Sequence, residues 1–200
     1  LFWILAGILA FACLAVLGIC YVCFRIAFYA KRKPFDPDRI SLPKGQIYEP
    51  FHEDMTRWIR EARAMNPEDL EITSFDGIKL WGKFYEYAPG APIELMFHGY
   101  RGNADRDLCG GVQRCFSLGH SALIVDQRAS GGSDGHVISF GINEHRDCLA
   151  WVDFMVNHFG PEVKIILTGI SMGAATVMYF AGMKLPQNVR GFVADCGFTS

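Results

Sequence analysis

One stretch decides the fold of this chain, and it reads Lys164-Ile165-Ile166-Leu167-Thr168-Gly169-Ile170-Ser171-Met172-Gly173-Ala174-Ala175-Thr176-Val177. Its apolar first part predicts a buried strand, and the run that begins at Ala174 predicts a helix. A serine therefore stands at the apex of a sharp turn between a strand and a helix. Such a turn lets a base reach the hydroxyl and lets backbone N–H groups face a developing oxyanion. Ser171 is our candidate nucleophile.

A second stretch has the same spacing, Gly131-Gly132-Ser133-Asp134-Gly135. The spacing alone is weak evidence, since in a glycine-rich chain a chance match is on the order of one in ten. No helical pattern follows Gly135 directly. We therefore predict that Ser133 is a loop residue and not a nucleophile.

The first 24 residues contain no charged side chain. A helix of that length spans about 36 Å, which is enough to cross the roughly 30 Å core of a bilayer. A cleavable signal peptide carries its basic residues before a shorter apolar region. Here they follow a long one, at Arg25, Lys31, Arg32 and Lys33. We predict a single membrane anchor over residues 1–30 and, from the position of these charges, a cytoplasmic location for the chain after them.

The charge and the cysteine spacing limit the classes of partner and cofactor that we expect. The formal net charge is −2, and the only basic run lies beside the predicted anchor, where it faces lipid head groups. We expect membrane lipid but no nucleic acid as a partner. The seven cysteines lack metal-ligand spacing, and Cys20 and Cys23 fall within the apolar segment. The sequence therefore predicts neither a metal nor an organic cofactor.

Beyond the anchor, residues 31–50 contain several prolines and predict an irregular linker. Within residues 51–69, apolar side chains recur at helical spacing from Met55 to Met65, and we expect this amphipathic helix to pack on its own domain rather than in the membrane interface. Asn66-Pro67 ends it. Two alternating stretches around Asp76-Gly77 then predict an antiparallel hairpin.

The rest of the chain alternates short apolar runs with helical patterns. This order predicts an α/β domain over residues 70–200, with a mostly parallel sheet that is covered on both faces. The strands are Ile93–Phe97, Ala122–Val125, Lys164–Leu167 and Gly191–Ala194, and the helices are Ala104–Leu118, Asn143–His158 and Met172–Met183.

Polar residues stand at the carboxyl ends of the four strands, namely His98, Asp126, Ser171 and Asp195. Ligand sites of open parallel sheets lie at that edge, although a cap or a turn would explain each residue as well. Asp126 with Arg128 suits a local ion pair or a turn brace. Asn103 suits a helix N-cap. The remaining candidates, His136, His145 and His158, are expected to be surface residues.

Taken together, the hairpin, the parallel strands and four motifs in order resemble the α/β-hydrolase fold. More particularly, they resemble the membrane-anchored hydrolases grouped with serine aminopeptidase-like and prolyl-oligopeptidase-like enzymes. The motifs are Phe97–Asn103, Asp126–Ser133, the turn at Gly169–Gly173 and Ala194–Ser200.

This resemblance implies cleavage of an ester, thioester or amide in a small molecule or peptide, through an acyl-enzyme. Ser171 matches the family nucleophile, and the backbone N–H groups of Met172 and Tyr100 match the oxyanion donors. In that family the histidine at the position of His98 supports a turn rather than acting as a base.

Two departures from the family pattern stand out. The family order is serine, acid and then histidine, yet none of the six histidines follows Ser171. We therefore expect the catalytic histidine and the acid beyond residue 200, with Asp195 as a weaker candidate for the acid. Ala129 also stands where the family commonly has glycine. The alternative function is a non-catalytic membrane-anchored binding or scaffold protein that retains the fold.

Overall fold

The computed structural model describes residues 1–31, 36 and 38–198. Several residues of the predicted segments lie outside the described residues: Arg32 and Lys33 of the basic cluster, Pro34 and Pro37 of the predicted linker, and Thr199 and Ser200 of the last motif. Within the described part, the helices are α1 (Phe2–Ala27), α2 (His52–Ala64), α3 (Ala104–Asp107), α4 (Gly111–Ser117), α5 (Glu144–Phe159) and α6 (Met172–Ala181), with a short 3-10 turn at Glu49–Phe51.

The described strands form one mixed sheet in the order β1-β2-β4-β3-β5-β6. The first two pairs, β1 with β2 and β2 with β4, are antiparallel, and the other pairs are parallel. This arrangement confirms the predicted α/β-hydrolase fold class, with an antiparallel start and a parallel remainder. The strands are β1 (Glu68–Thr73), β2 (Lys79–Tyr85), β3 (Ile93–Phe97), β4 (Ser121–Val125), β5 (Ile165–Ile170) and β6 (Val189–Asp195).

Helices cover both faces of the central strands. On one face, Trp151 and Met155 of α5 and Phe180 of α6 pack against the sheet in a large apolar cluster. On the other face, Val112 and Cys115 of α4 join a second cluster. Because both faces are buried, β3 and β4 have no exposed residue, which explains why these strands lack alternation.

The prediction of one helix over Ala104–Leu118 was wrong. The chain forms α3 and α4 with a break between them, where Gly110 has φ 80°. A Cβ at Gly110 would lie 3.0 Å from the Trp58 ring of α2, so the break brings the chain close to that helix. The predicted N-cap is confirmed, because the Asn103 side chain accepts a hydrogen bond of 2.8 Å from the backbone N–H of Arg106.

Helix α2 packs on the α/β domain, as its amphipathic pattern predicts. Its buried residues are Ile59 and Ala62. The Arg63 guanidinium lies 2.7 Å from the Asp105 carboxylate of α3. The helix thus belongs to the surface of the domain and not to a separate layer.

Helix α1 has 26 residues, and none of them is buried. An 18-residue stretch of it has a mean hydropathy of 2.6, and this value and the helix length are sufficient for a membrane span, although a signal sequence near the N-terminus satisfies the same criteria. The residues after it are bonded to the domain. The N–H of Ala30 donates to the His136 carbonyl, and the N–H of Ile138 donates to the Phe28 carbonyl, each at 2.8 Å.

Candidate active site

Ser171 occupies the junction between β5 and α6 with φ 54° and ψ −112°. A positive φ is unfavourable for a residue with a side chain and costs on the order of 1–3 kcal/mol. Two backbone hydrogen bonds hold the conformation: the Ser171 N–H donates to the Asp195 carbonyl at 2.8 Å, and the Ser171 carbonyl accepts from Ala175 at 3.0 Å. The edge strand β6 and the first turn of α6 thus fix the strained turn.

The two glycines of this turn are required by packing. A Cβ at Gly169 would collide with the carbonyl of Gly173, and a Cβ at Gly173 would collide with the carbonyl of Phe97 at the end of β3. The backbones of β5, α6 and β3 therefore meet without room for a side chain. This close approach places the nucleophile candidate directly beside the end of β3.

The loop after β3 lies against Ser171. It turns through a hydrogen bond of 3.1 Å from the Gly102 N–H to the Gly99 carbonyl. A Cβ at Gly99 would lie 3.6 Å from the Ser171 Cβ. In the part of the chain that the structure describes, the N–H groups of Tyr100 and Met172 have no protein acceptor. Two N–H groups in residues next to this contact are therefore available as donors.

His98 is fully buried beneath this loop, and both ring nitrogens are engaged. Nδ1 lies 2.7 Å from the Gly99 carbonyl, and Nε2 accepts a hydrogen bond of 3.0 Å from the backbone N–H of Gln127. The acceptor role of Nε2 requires a neutral ring with the proton on Nδ1. This geometry confirms that His98 supports the turn.

Gln127 connects the two sides of the site, a role that the sequence analysis missed. Its side-chain N–H₂ donates to the His98 carbonyl at 2.6 Å, and its Oε1 accepts from the Thr176 hydroxyl at 2.9 Å. Thr176 lies in the first turns of α6, within 3.1 Å of the Met172 carbonyl. One buried amide thus joins the loop of Tyr100 to the helix of Met172. Its position directly after Asp126, at the predicted ligand edge, was the signal available in the sequence.

Asp126 braces turns rather than pairing with Arg128. Its carboxylate accepts 2.8 Å hydrogen bonds from the backbone N–H groups of Ala104 and Gly132. Burial raises its pKa from the ordinary aspartate value. The ion-pair interpretation was wrong, because the Arg128 guanidinium pairs with Asp147 and Asp76 instead. The turn-brace interpretation is confirmed.

Arg128 pairs elsewhere, on the side of the domain near α5. Its guanidinium lies 2.6 Å from the Asp147 carboxylate and 3.0 Å from that of Asp76. Burial raises the pKa of Asp147, and the hydrogen bonds from Arg128 and Ser74 oppose this rise. The cluster ties the hairpin turn to α5 and lies outside the contacts around Ser171.

Ser133 lies in a loop, as predicted. Its hydroxyl donates to the Asp126 carbonyl at 2.6 Å and accepts from the Trp81 N–H at 2.9 Å. The residue is only 1% exposed. Its hydroxyl is therefore engaged in holding the loop to β2 and is shielded from a substrate.

The Asp195 carboxylate contacts the Cys196 thiol at 3.2 Å, whereas its backbone carbonyl holds the turn at Ser171. The structure thus brings Asp195 to the site through its backbone. Within the described residues, the Ser171 hydroxyl has no hydrogen-bond partner and no histidine contacts it. The other five histidines bond or pair elsewhere: His52 with Pro43, His120 with Glu94, His136 with Ala30, His145 with Gly141 and His158 with Glu68.

The cysteines near the sheet are poor competitors as nucleophiles. Burial raises the pKa of Cys115 to about 12 and that of Cys109 to about 11. Their thiols are therefore almost entirely protonated near neutral pH. No group of three or more metal-ligating side chains occurs among the described residues.

A family model described as alpha/beta hydrolase fold matches residues 95–200, which is more than half of this chain. The matched region contains the loop of Tyr100, the turn at Ser171 and the strand β6. Both the strand order and the strained serine turn agree with this match. The chain belongs to the α/β-hydrolase fold family.

Among individual proteins, the chain is similar to the uncharacterized protein YqkD of Bacillus subtilis strain 168, with 35% identity over 136 residues. That match covers 66% of this chain and 44% of YqkD. The chain therefore aligns with less than half of the length of this relative.

Solved structures show the same fold at lower identity. The Pyrococcus furiosus esterase Pf2001 aligns with a TM-score of 0.61 at 23% identity, over 81% of this chain and 58% of that protein. The α/β-hydrolase GrgF from a Penicillium species aligns with a TM-score of 0.55 at 24% identity, over 63% of this chain and 44% of its own. At these identities the likeness concerns the fold alone.

Proposed function

We propose that this protein is a membrane-anchored serine hydrolase that cleaves an ester, thioester or amide through an acyl-enzyme. The observation that carries this proposal is the strained Ser171, which precedes Met172 and lies against Gly99; the N–H groups of Met172 and Tyr100 have no protein acceptor in the described part of the chain. A fold gains nothing in stability from a strained residue with an unbonded hydroxyl. A serine turn of this kind exposes the hydroxyl and leaves it free to bond to a base, which suits a nucleophile.

In the proposed reaction, the Ser171 Oγ forms a bond to the substrate carbonyl carbon while its proton passes to a base. The N–H groups of Met172 and Tyr100 donate to the resulting oxyanion, and loss of one such donor typically costs about 3 kcal/mol of barrier. The C–O, C–S or C–N bond to the leaving group then breaks, and the leaving group takes the proton. Water attacks the acyl-enzyme in the same way and regenerates the hydroxyl.

The proposal requires a histidine from outside the described residues, because the Ser171 hydroxyl contacts none within them. In the family that the motifs resemble, that histidine and its acid follow the nucleophile in the chain. Asp195 remains the weaker candidate for the acid, since its carboxylate lies close to the site but contacts only Cys196 among the described residues. The serine aminopeptidase-like and prolyl-oligopeptidase-like group remains our proposal for the subfamily.

We further propose that α1 is retained as a single-pass anchor, with the hydrolase domain on the cytoplasmic side. The support is the backbone pairing of Phe28 and Ala30 with the loop of His136 and Ile138. Removal of the N-terminal segment would leave these loop groups without their partners. The proposed organisation is anchor over 1–30, linker over 31–50, an amphipathic-helix segment over 51–69 and hydrolase domain over 70–200, although α2 ends at Ala64 and β1 already begins at Glu68.

Fluorophosphonate labelling of the intact protein in its native membranes, followed by peptide mapping, tests the proposal. We expect the label on Ser171, no label on Ser171→Ala, and full labelling of Ser133→Ala. Labelling at Ser133 would overturn our choice of nucleophile. Absence of any label on folded protein would favour the non-catalytic binding or scaffold function.

A further inference from the structure

The end of α1 is bonded to the loop that carries the proposed oxyanion donor. The Tyr100 hydroxyl donates to the Ala27 carbonyl at 2.7 Å. The Arg101 guanidinium donates to the carbonyls of Ile26 at 2.6 Å and Tyr29 at 3.1 Å. Carbonyls at a helix C-terminus lack partners within the helix, so these side chains satisfy groups that α1 itself leaves free. The site and the apolar helix are thus held together at one point.

Side chains at this end of α1 have the character of a membrane interface. Arg25 lies 4.0 Å from the centre of the Tyr29 ring, and it also lies near Tyr21 one turn earlier. Tyrosine and basic residues concentrate where a spanning helix leaves the hydrocarbon. With α1 in a bilayer, the loop of Tyr100 therefore lies at the level of the lipid head groups.

A row of aromatic side chains, which we call the aromatic row, leads from α1 to the site. It consists of Phe28, Phe140 and Tyr100. The ring centres of Phe28 and Phe140 are 5.5 Å apart, and those of Phe140 and Tyr100 are 5.0 Å apart. Phe28 and Tyr100 are 38% and 36% exposed. Tyr100 follows Gly99, the residue that lies against Ser171.

The aromatic row places partly exposed apolar rings beside the proposed nucleophile. Exposed contiguous apolar surface commonly marks a binding site for a lipid or another apolar partner. Here it begins at the end of α1, which has no buried residue and contains an 18-residue stretch with a mean hydropathy of 2.6. An acyl chain that left the bilayer beside α1 would therefore meet the partly exposed rings of Phe28 and Tyr100 on its way to the turn at Ser171.

We propose that the substrate is an ester of a membrane lipid, whose long acyl chain moves from the bilayer along the aromatic row to Ser171. This inference rests on the proposed hydrolase function and specifies its substrate. Ser171 Oγ forms the new bond to the acyl carbonyl carbon, and the ester C–O bond breaks. The released alcohol takes the proton from the base, and water then frees the fatty acid.

The test uses the full-length protein reconstituted in phosphatidylcholine vesicles. Two rates are measured, hydrolysis of 4-methylumbelliferyl palmitate embedded in the vesicles and hydrolysis of soluble 4-methylumbelliferyl butyrate. In Phe140→Asn the ring is lost, while asparagine tolerates the positive φ of 53° at this position. We expect the ratio of the embedded to the soluble rate to fall at least 10-fold in Phe140→Asn and to stay within 2-fold in Phe140→Leu.

The matched control is Phe51→Ser, which removes an exposed aromatic ring of the 3-10 turn outside the aromatic row. We expect both of its rates to equal those of the wild type. An unchanged ratio in Phe140→Asn, or a wild type that cleaves only the soluble ester, overturns the lipid-substrate inference and leaves the hydrolase function in place. If the wild type cleaves neither ester and takes no fluorophosphonate label, both proposals fail.

Discussion

Two stretches of this molecule share one glycine-serine-glycine spacing and have opposite structural roles. In residues 169–173 the serine is strained, and its hydroxyl has no partner among the described residues. In residues 131–135 the serine is buried, and its hydroxyl both donates and accepts a hydrogen bond. The spacing permits a tight turn in both places. The element after the turn, a helix in one case and a loop in the other, decides whether the hydroxyl is available for chemistry.

The glycines of the two stretches also serve different contacts. At Gly173 the space for a Cβ is taken by the backbone of β3, whereas at Gly131 it is taken by the Asp126 carboxylate. The first contact brings three backbones together around Ser171. The second lets the loop wrap around a buried acid. The shared spacing thus indicates only that the chain can make a tight turn. The element that packs against the turn determines what the serine can do.

The largest expected difference between the two stretches is the loss of stability when the last glycine of each is replaced by alanine. Gly173→Ala places a Cβ on the backbone of Phe97 and His98, which cannot move aside without separating β3 from α6. We expect a loss of about 3 kcal/mol or more in the free energy of unfolding, or failure to fold. Urea unfolding of the purified variants measures it.

Gly135→Ala is the matched control. Its φ of 102° is unfavourable for alanine, but the nearest atom to its Cβ would be 3.4 Å away. We expect a loss of about 1–2 kcal/mol. Equal losses for the two variants would contradict the packing argument.

The next effect concerns the buried amide that joins the two sides of the site. Gln127→Leu removes the hydrogen bonds to the His98 carbonyl and the Thr176 hydroxyl. Because the two oxyanion donors then lose their common support, we expect kcat to fall about 10- to 100-fold with little change in KM. Steady-state kinetics with a soluble ester provides the measurement.

Two further variants separate positioning from general destabilisation in that experiment. Gln113→Leu removes a glutamine that donates to the Trp58 carbonyl, on the α2 side of the domain, and should leave kcat unchanged. Gln127→Glu keeps an acceptor for Thr176 and should recover part of the activity. A rise in KM with constant kcat would argue against a positioning role.

A smaller effect distinguishes the two serines by stability alone. Ser133→Ala removes the hydrogen bonds that this hydroxyl makes with the Trp81 N–H and the Asp126 carbonyl and should cost about 1–3 kcal/mol. Ser171→Ala removes a hydroxyl that has no partner in the described structure, so its stability should change by less than about 0.5 kcal/mol. Thermal denaturation of both variants tests this. The reverse order of stabilities would show that Ser171 holds the fold and Ser133 does not.

The smallest expected effect is a loss of stability at low pH, which both serine variants should share with the wild type. Burial alone would raise the pKa of Glu94 in β3, but hydrogen bonds from His120, Arg114 and Thr168 outweigh it and hold the pKa below the ordinary value. A lowered folded-state pKa stabilises the protein above the unfolded value of about 4.3, and this contribution is lost as the pH falls through the folded-state pKa.

We therefore expect the melting temperature to fall below about pH 4 in the wild type and in both serine variants. Glu94→Gln should be less stable at pH 7 and should show a flatter decline in acid. Melting curves between about pH 3 and pH 7 measure the slopes. A Glu94→Gln variant with the same slope as the wild type would assign the acid sensitivity to another carboxylate.

The sequence predicted the parts of the fold that depend on local pattern. The boundaries of β3 were given by a short, mainly apolar run that Glu94 interrupts, and the choice between Ser171 and Ser133 followed from the helix that comes after Ser171. The break between α3 and α4 was missed, since only the approach of Trp58 shows why Gly110 turns the chain. Ala129 adopts φ 63°, so the loop keeps a glycine-like conformation although its residue departs from the family pattern.

Periodicity and turn chemistry act between residues close in the chain, so the sequence by itself determined the α/β class, the apolar N-terminal helix and the candidate nucleophile. The tertiary structure alone decided which distant groups meet. It gave Asp126 two backbone donors in place of Arg128, set Gln127 between two elements and bonded Tyr100 to the end of α1. Some of those contacts join residues as far as 73 positions apart. Others depend on which of several neighbouring groups is buried. A local pattern carries no information about such choices, because burial and packing settle them only when the whole sheet has formed.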